Sequence, residues 1–200
     1  NELHCSSLEV SCYILCKGHE WLKRCVRMKN NIIQVICGPG RGKSTAALGR
    51  GISVLTQNQT VIMVQFLKGA IDPRNMEVIK RLEPEFKLFR FEKTSTAFEQ
   101  LSEEEKEEAR TSIRNGLNFA RKVLTTGECD MLILDEILGI LDEGIISLEE
   151  LAGIIQHARQ TETQLILTGT VYPAGLDDYV DEITRIQTRY EEGREKCCCS

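Results

Sequence analysis

No stretch of this chain approaches the roughly 18 consecutive apolar residues that a membrane-spanning helix needs, so a membrane-embedded protein is not expected. Positive charge is not in surplus either. The 25 Lys and Arg stand against 30 Asp and Glu, a net charge of −5, whereas proteins that grip nucleic acid by bulk charge are basic. The start shows no apolar core followed by a small-residue cleavage site, so no secretory leader is expected. Internal repeats and low-complexity linkers are missing as well. Cysteine is not scarce, but it is nearly absent from the body of the chain. Of nine, four lie in the first 25 residues, three are Cys197, Cys198 and Cys199, and only Cys37 and Cys129 fall between. A disulfide-stapled secreted domain distributes its cysteines through the core, so this placement points to a reducing, cytoplasmic compartment.

What remains is an ordinary soluble composition. The 200 residues, 42% of them apolar, can bury one core without staples. Residues 1–27 stand apart: they hold the only Trp, Trp21, two of the three His, and no hydrophobic period. Met28 directly precedes the first strong strand signal. Residues 28–193 are therefore expected to form the folded domain, 1–27 an extension outside it, and 194–200 a disordered Cys-rich end. The alternative for the extension is a metal knuckle built from Cys12, Cys16, His19 and Cys25. Zinc ligands ordinarily come in tighter, repeated pairs.

From residue 32 onward short β-branched runs alternate with amphipathic segments. The runs 32–37, 61–66, 131–134 and 164–167 read as buried strands, 87–91 as a half-buried one, and 181–187 as a last strand. Helices are expected over 44–57, 72–81, 102–125 and 147–159. In the first, Ala46, Ala47, Leu48, Ile52 and Leu55 are available for packing. The third has a buried stripe of Ala109, Ile113, Leu117, Ala120 and Leu124. Ser102 with Glu105 and Ser147 with Glu150 have the spacing of capping boxes. The acidic run from Glu103 to Glu108 reads as a solvated helix start rather than a regulatory patch. Alternation of this kind predicts an α/β fold, a mostly parallel sheet with helices on both faces.

The chemistry begins at Gly38-Pro39-Gly40-Arg41-Gly42-Lys43-Ser44-Thr45. A Gly-rich turn after a buried strand and before a helix lets backbone N–H groups crowd around phosphate oxygens, and the helix start adds partial positive charge. Lys43 and Arg41 supply full charges, and Ser44 is placed to ligate Mg²⁺. The common phosphate loop has four residues between its first Gly and the Gly-Lys pair. Here Gly38 and Gly42 enclose three, and Cys37 stands where the first Gly would be. Asp135-Glu136, at the end of the strand 131–134, delivers carboxylates to the edge where ligands of such sheets gather, and hard Mg²⁺ prefers oxygen.

These residues, with Val64-Gln65-Phe66-Leu67-Lys68-Gly69 and Leu167-Thr168-Gly169, resemble the ATP:corrinoid adenosyltransferases of the cobalamin pathway, the CobA/CobO/BtuR type, over about residues 29–193. The resemblance implies a P-loop NTPase-like fold. It also implies transfer of the 5′-deoxyadenosyl group of ATP to the Co(I) centre of a reduced corrinoid, with tripolyphosphate released. By the same resemblance Gly38, Pro39, Gly40, Arg41, Gly42, Lys43 and Thr45 hold the triphosphate. Ser44 and Glu136 hold Mg²⁺, and Asp135 orients that shell. Gln65, Phe66 and Lys68 reach nucleotide or corrinoid, with packing and solvation as the other readings of Phe66 and Lys68. A flavoprotein or similar electron donor and a homodimer are implied partners.

Three departures from the family pattern stand out. Phe91 and Phe98 occupy, without a Trp, the aromatic segment that some members use to displace the lower cobalt ligand. Thr170 replaces an Arg. The pattern expected after Tyr190 is missing. A P-loop nucleoside kinase and a non-catalytic ATP-binding switch remain open from the residues alone. The kinase family usually carries paired zinc cysteines in its second half, where this body has only Cys129.

Overall fold

The computed structural model describes residues 31–67, 73–91 and 98–189. Six strands form one sheet: β1 (Ile33–Cys37), β2 (Val61–Gln65), β3 (Phe86–Arg90), β4 (Met131–Asp135), β5 (Gln164–Gly169) and β6 (Glu182–Arg185), in the spatial order β3-β2-β4-β5-β1-β6. Every pairing is parallel. Parallel sheets are covered on both faces, so their strands are apolar throughout rather than alternating. The sequences IQVIC, VIMVQ and MLILD of β1, β2 and β4 are accordingly buried at every position.

Among the described residues five α-helices supply the cover: α1 (Lys43–Leu55), α2 (Pro73–Lys80), α3 (Glu103–Thr126), α4 (Ile137–Asp142) and α5 (Leu148–Gln160). On one face Ala47 and Val54 of α1 and Ile79 of α2 pack with Ile36, Met63, Phe86, Ile133 and Ile166. On the other, α3, α4 and α5 bring Ile113, Leu117, Leu124, Ile137, Leu151 and Ile155 against Val35, Val64, Leu134 and Leu167. Ser102 and Ser147 form the expected capping boxes, each accepting from the N–H of a Glu three residues on while that Glu's carboxylate accepts from the serine's own N–H. Each cap stabilises its helix by about 1 kcal/mol. The acidic start of α3 is solvent-facing, with Glu103 paired to Lys106 and Glu107 to Arg110.

The sequence reading is corrected in four places. β3 lies one residue earlier than 87–91, because Phe86 plugs the core beneath α1. β6 is shorter than 181–187 and exposed at each of its four positions. Ile52 is 43% exposed, since the buried line of α1 runs through Ala47, Gly51 and Val54. Ala109 is only half-buried, and Gly116 and Val123 join the buried stripe of α3. Helix α4 was not foreseen: six residues are too few to display a period. The extension 1–27 with its proposed metal knuckle, and the end 194–200, lie outside the described residues.

Candidate functional site

The β1–α1 turn lies at the carboxyl edge of the sheet. Gly38 has φ 114°, a left-handed conformation that L side chains resist, and its N–H donates to Thr170 O at 3.0 Å. Gly42, also left-handed at φ 103°, caps α1 without any side-chain hydrogen bond, and the first turn of the helix contains no acid. The start of α1 thus gathers backbone N–H groups with no acid of its own first turn beside them, the arrangement that suits an anion. Lys43 arches back over the loop, its Nζ donating to Gly38 O at 2.8 Å and Gly40 O at 3.1 Å. Pro39, Arg41 and Thr45 are exposed on the same turn.

Below the loop a buried polar network crosses three strands. Asp135, with no exposed surface, accepts from Ser44 Oγ at 2.8 Å and Thr168 Oγ1 at 2.6 Å on one oxygen, and from Gln65 Nε2 at 2.9 Å on the other. Thr168 also accepts from the Glu136 N–H at 2.8 Å. The topology explains the span. β5 lies between β1 and β4, so a residue of β5, Thr168, ties the carboxylate edge to the loop side. Gln65 faces Asp135 on one side and Arg90 on the other in strand register. With its amide nitrogen committed to Asp135, Gln65 Oε1 has no hydrogen-bond partner among the described residues, and the residue is 5% exposed. An orphaned buried acceptor is costly, of the order of 1–3 kcal/mol, and such atoms concentrate where a ligand completes the network.

The carboxylate that meets Ser44 is therefore Asp135. Glu136 caps α4 in a left-handed conformation, φ 65°, which turns its side chain out of the strand line and over Gly139. The two acids, adjacent in sequence, serve different surroundings. No cluster of three or more His, Cys, Asp or Glu among the described residues could by itself hold a metal ion. A hard cation fits here as one shared between Ser44, carboxylate and ligand phosphate oxygens, the way Mg²⁺ is ordinarily bound.

Several expected residues take other places. Phe66 is fully buried and packs over Gly116, as does Phe91, whose ring also lies 5.8 Å from that of Phe119. Phe98 sits against the core with the Arg110 guanidinium 5.7 Å over its ring. All three thus have packing contacts, and Lys68 lies outside the described residues. Cys37 is buried beneath the loop, and burial pushes the Cys129 thiol up to about 12. Thr168, quoted in the Leu167-Thr168-Gly169 block but given no role, and Thr188, which motif reading passed over, are further functional candidates. The signal for Thr168 was available, a hydroxyl closing an otherwise apolar run. Thr188 has no local signal, because its contact with Arg41 spans 147 residues.

A parallel α/β sheet with a strand, glycine loop, helix and a buried acid at the end of the next strand but one defines the class: a P-loop NTPase-like fold. In line with this, the structure resembles a KaiC-like protein from the archaeon Pyrococcus horikoshii OT3, with a TM-score of 0.52 at 16% identity over 78% of this chain and 72% of that one. Within that class the chain belongs to the ATP:corrinoid adenosyltransferase BtuR/CobO/CobP family, whose profile matches residues 29–196, and it is an enzyme of that family's kind. It is 26% identical to the corrinoid adenosyltransferase of Escherichia coli K12, covering 80% of this chain and 78% of that protein. It is 31% identical to an uncharacterized protein of Nostoc, of which it spans 42% of the length while 74% of this chain is covered.

Proposed function

We propose that the chain transfers the 5′-deoxyadenosyl group of ATP to the cobalt of a reduced corrinoid and releases tripolyphosphate. The observation that carries this reading is the junction of Ser44 with Asp135 directly under the Lys43 loop. It sets the glycine turn beside a buried carboxylate, in a chain of this family.

The reacting atoms belong to the substrates. Co(I) attacks the ribose C5′ carbon; the cobalt–carbon bond forms as the C5′–O bond breaks, and the electron pair leaves with tripolyphosphate. Cobalt supplies both electrons of the new bond, so no side chain has to abstract a proton. The protein's work is alignment and stabilisation of the leaving charge. Lys43 and the N–H groups at the start of α1 hold the triphosphate. Arg41 adds charge at the exposed rim. Gln65 fixes Asp135 through its nitrogen and offers Oε1 to a ligand donor. Ser44, Asp135 and Glu136 would hold Mg²⁺, which when bound neutralises phosphate charge. The same reading includes an electron-donating flavoprotein or similar reductant, a homodimer and a cytoplasmic setting.

The test is incubation with ATP, Mg²⁺ and chemically reduced corrinoid. Cobalt–carbon product together with tripolyphosphate supports transfer; ADP would indicate a kinase, and no product a binding switch. Asp135→Asn and Glu136→Gln, each titrated with Mg²⁺, rank the two acids. The variant that requires more metal has lost a ligand of it, and an unchanged requirement removes that residue from the metal shell. Lys43→Ala is expected to lower turnover by at least about 100-fold, the scale of losing one key electrostatic group.

A further inference from the structure

The chain does not stop influencing the phosphate loop at its own turn. Beyond β6, Ile186 N–H donates to Cys37 O at 2.8 Å, continuing the β1–β6 pairing past Arg185. Ile186 O then accepts from Gly40 N–H at 3.0 Å, and Thr188 Oγ1 accepts from Arg41 N–H at 3.0 Å. With Gly38 bonded to Thr170, the loop N–H groups of Gly38, Gly40 and Arg41 are all committed to protein.

We propose that the segment 186–188 is a fixed wall of the nucleotide site and that Thr188 is a positioning residue for ATP. By holding Gly40 and Arg41, it confines the triphosphate to Lys43 and the first N–H groups of α1. The inference rests on the reading of this loop as the ATP site.

Two observations separate a fixed wall from a lid. A Cβ on Gly40 would lie 2.8 Å from Ile186 O and 2.8 Å from Thr188 N, closer than real Cβ contacts come. Gly40 does not have a positive φ, so its missing side chain answers to this close approach and not to a strained turn. A Cβ on Gly38 would likewise collide with Ile186 O. Two loop positions are therefore shaped around the backbone of this segment, as permanent neighbours are. The second observation is the length of the loop. It has three residues where the common loop has four, and the backbone of the segment 186–188 lies directly against it.

The test compares the full chain with Thr188→Val, Thr188→Ser and Gly40→Ala. Calorimetric titration with MgATP and with inorganic tripolyphosphate is measured beside adenosyl-transfer kinetics. Thr188→Val is expected to weaken both ligands and raise the KM for ATP about tenfold, the cost of losing one backbone-anchoring hydrogen bond. The corrinoid KM, kcat and Tm should be unchanged. Thr188→Ser, which keeps the hydroxyl, should restore affinity. Gly40→Ala, which displaces the wall from the other side, should reproduce the loss. Tighter ATP binding by Thr188→Val would identify a lid and overturn the proposal, as would unchanged affinity. A wild type that binds both ligands but makes no cobalt–carbon bond refutes the transfer reading alone. One that binds neither refutes both.

Discussion

Thr168 shows how much a single hydroxyl can be asked to do. It gives its proton to Asp135 and receives the Glu136 N–H, so it fixes both acids at the end of β4. Thr168→Val preserves shape but strips a donor from a fully buried carboxylate and strands an N–H. We expect a loss of about 1–3 kcal/mol in stability, measurable by urea unfolding, together with a raised Mg²⁺ requirement. If stability falls and the metal requirement does not, Thr168 is structural only. At this scale the sequence was informative where chemistry is local. Lys43, Ser44 and Asp135 are legible because a glycine turn after one strand and an acid ending another have few other uses. The bond between Ser44 and Asp135, as against Glu136, was not legible. It depends on how the end of β4 is turned, with Glu136 already left-handed and its side chain over Gly139, and residue identity does not encode that turn.

Helix α3 is seated through a glycine. A Cβ at Gly116 would lie 2.7 Å from Phe66 Cε1 and 2.7 Å from Phe91 Cγ, so the helix rides directly on two aromatic rings. Gly116→Ala gains up to about 1 kcal/mol of helix propensity but overpacks the contact by about 1–3 kcal/mol. The net expectation is a lower Tm, and an unchanged or higher Tm would mean that the rings yield. The element pattern itself was readable, since five-residue β-branched runs separated by capped amphipathic helices admit few alternatives to a parallel sheet. The phase of α1 was misread at Ile52 because Gly51, the residue that does face the sheet, has no hydrophobicity to announce itself. There the Phe86 ring comes within 2.7 Å of the position a Cβ would take.

Across the whole molecule, edge strand β6 is tied down by charge. Asp181 Oδ2 accepts from the Ile33 N–H at 2.8 Å, and its Oδ1 meets Arg159 of α5 at 3.0 Å. Burial pushes this carboxyl up, but the Ile33 hydrogen bond and the Arg159 guanidinium outweigh it and hold the pKa below the ordinary value. A depressed folded pKa stabilises above the unfolded pKa, and that stability is lost as pH falls through the folded one. Asp181→Asn should therefore be less stable than wild type near neutrality, by no more than about 1 kcal/mol given its exposure. The gap should close on acidification below about pH 4, read as Tm against pH. A gap independent of pH would assign the effect to geometry. The strand order has a further consequence, in time rather than in space. β1 carries the phosphate loop, yet both of its sheet neighbours, β5 and β6, come from the far end of the sequence. During synthesis β2 can pair with β3 and then β4 as each emerges, while β1, complete at Cys37, waits unpaired on both edges until β5 begins at Gln164. The wall at 186–188 arrives later still. Translation thus builds the loop well before the strands that flank it, so the proposed nucleotide site can form only once residues 164–188 have been made.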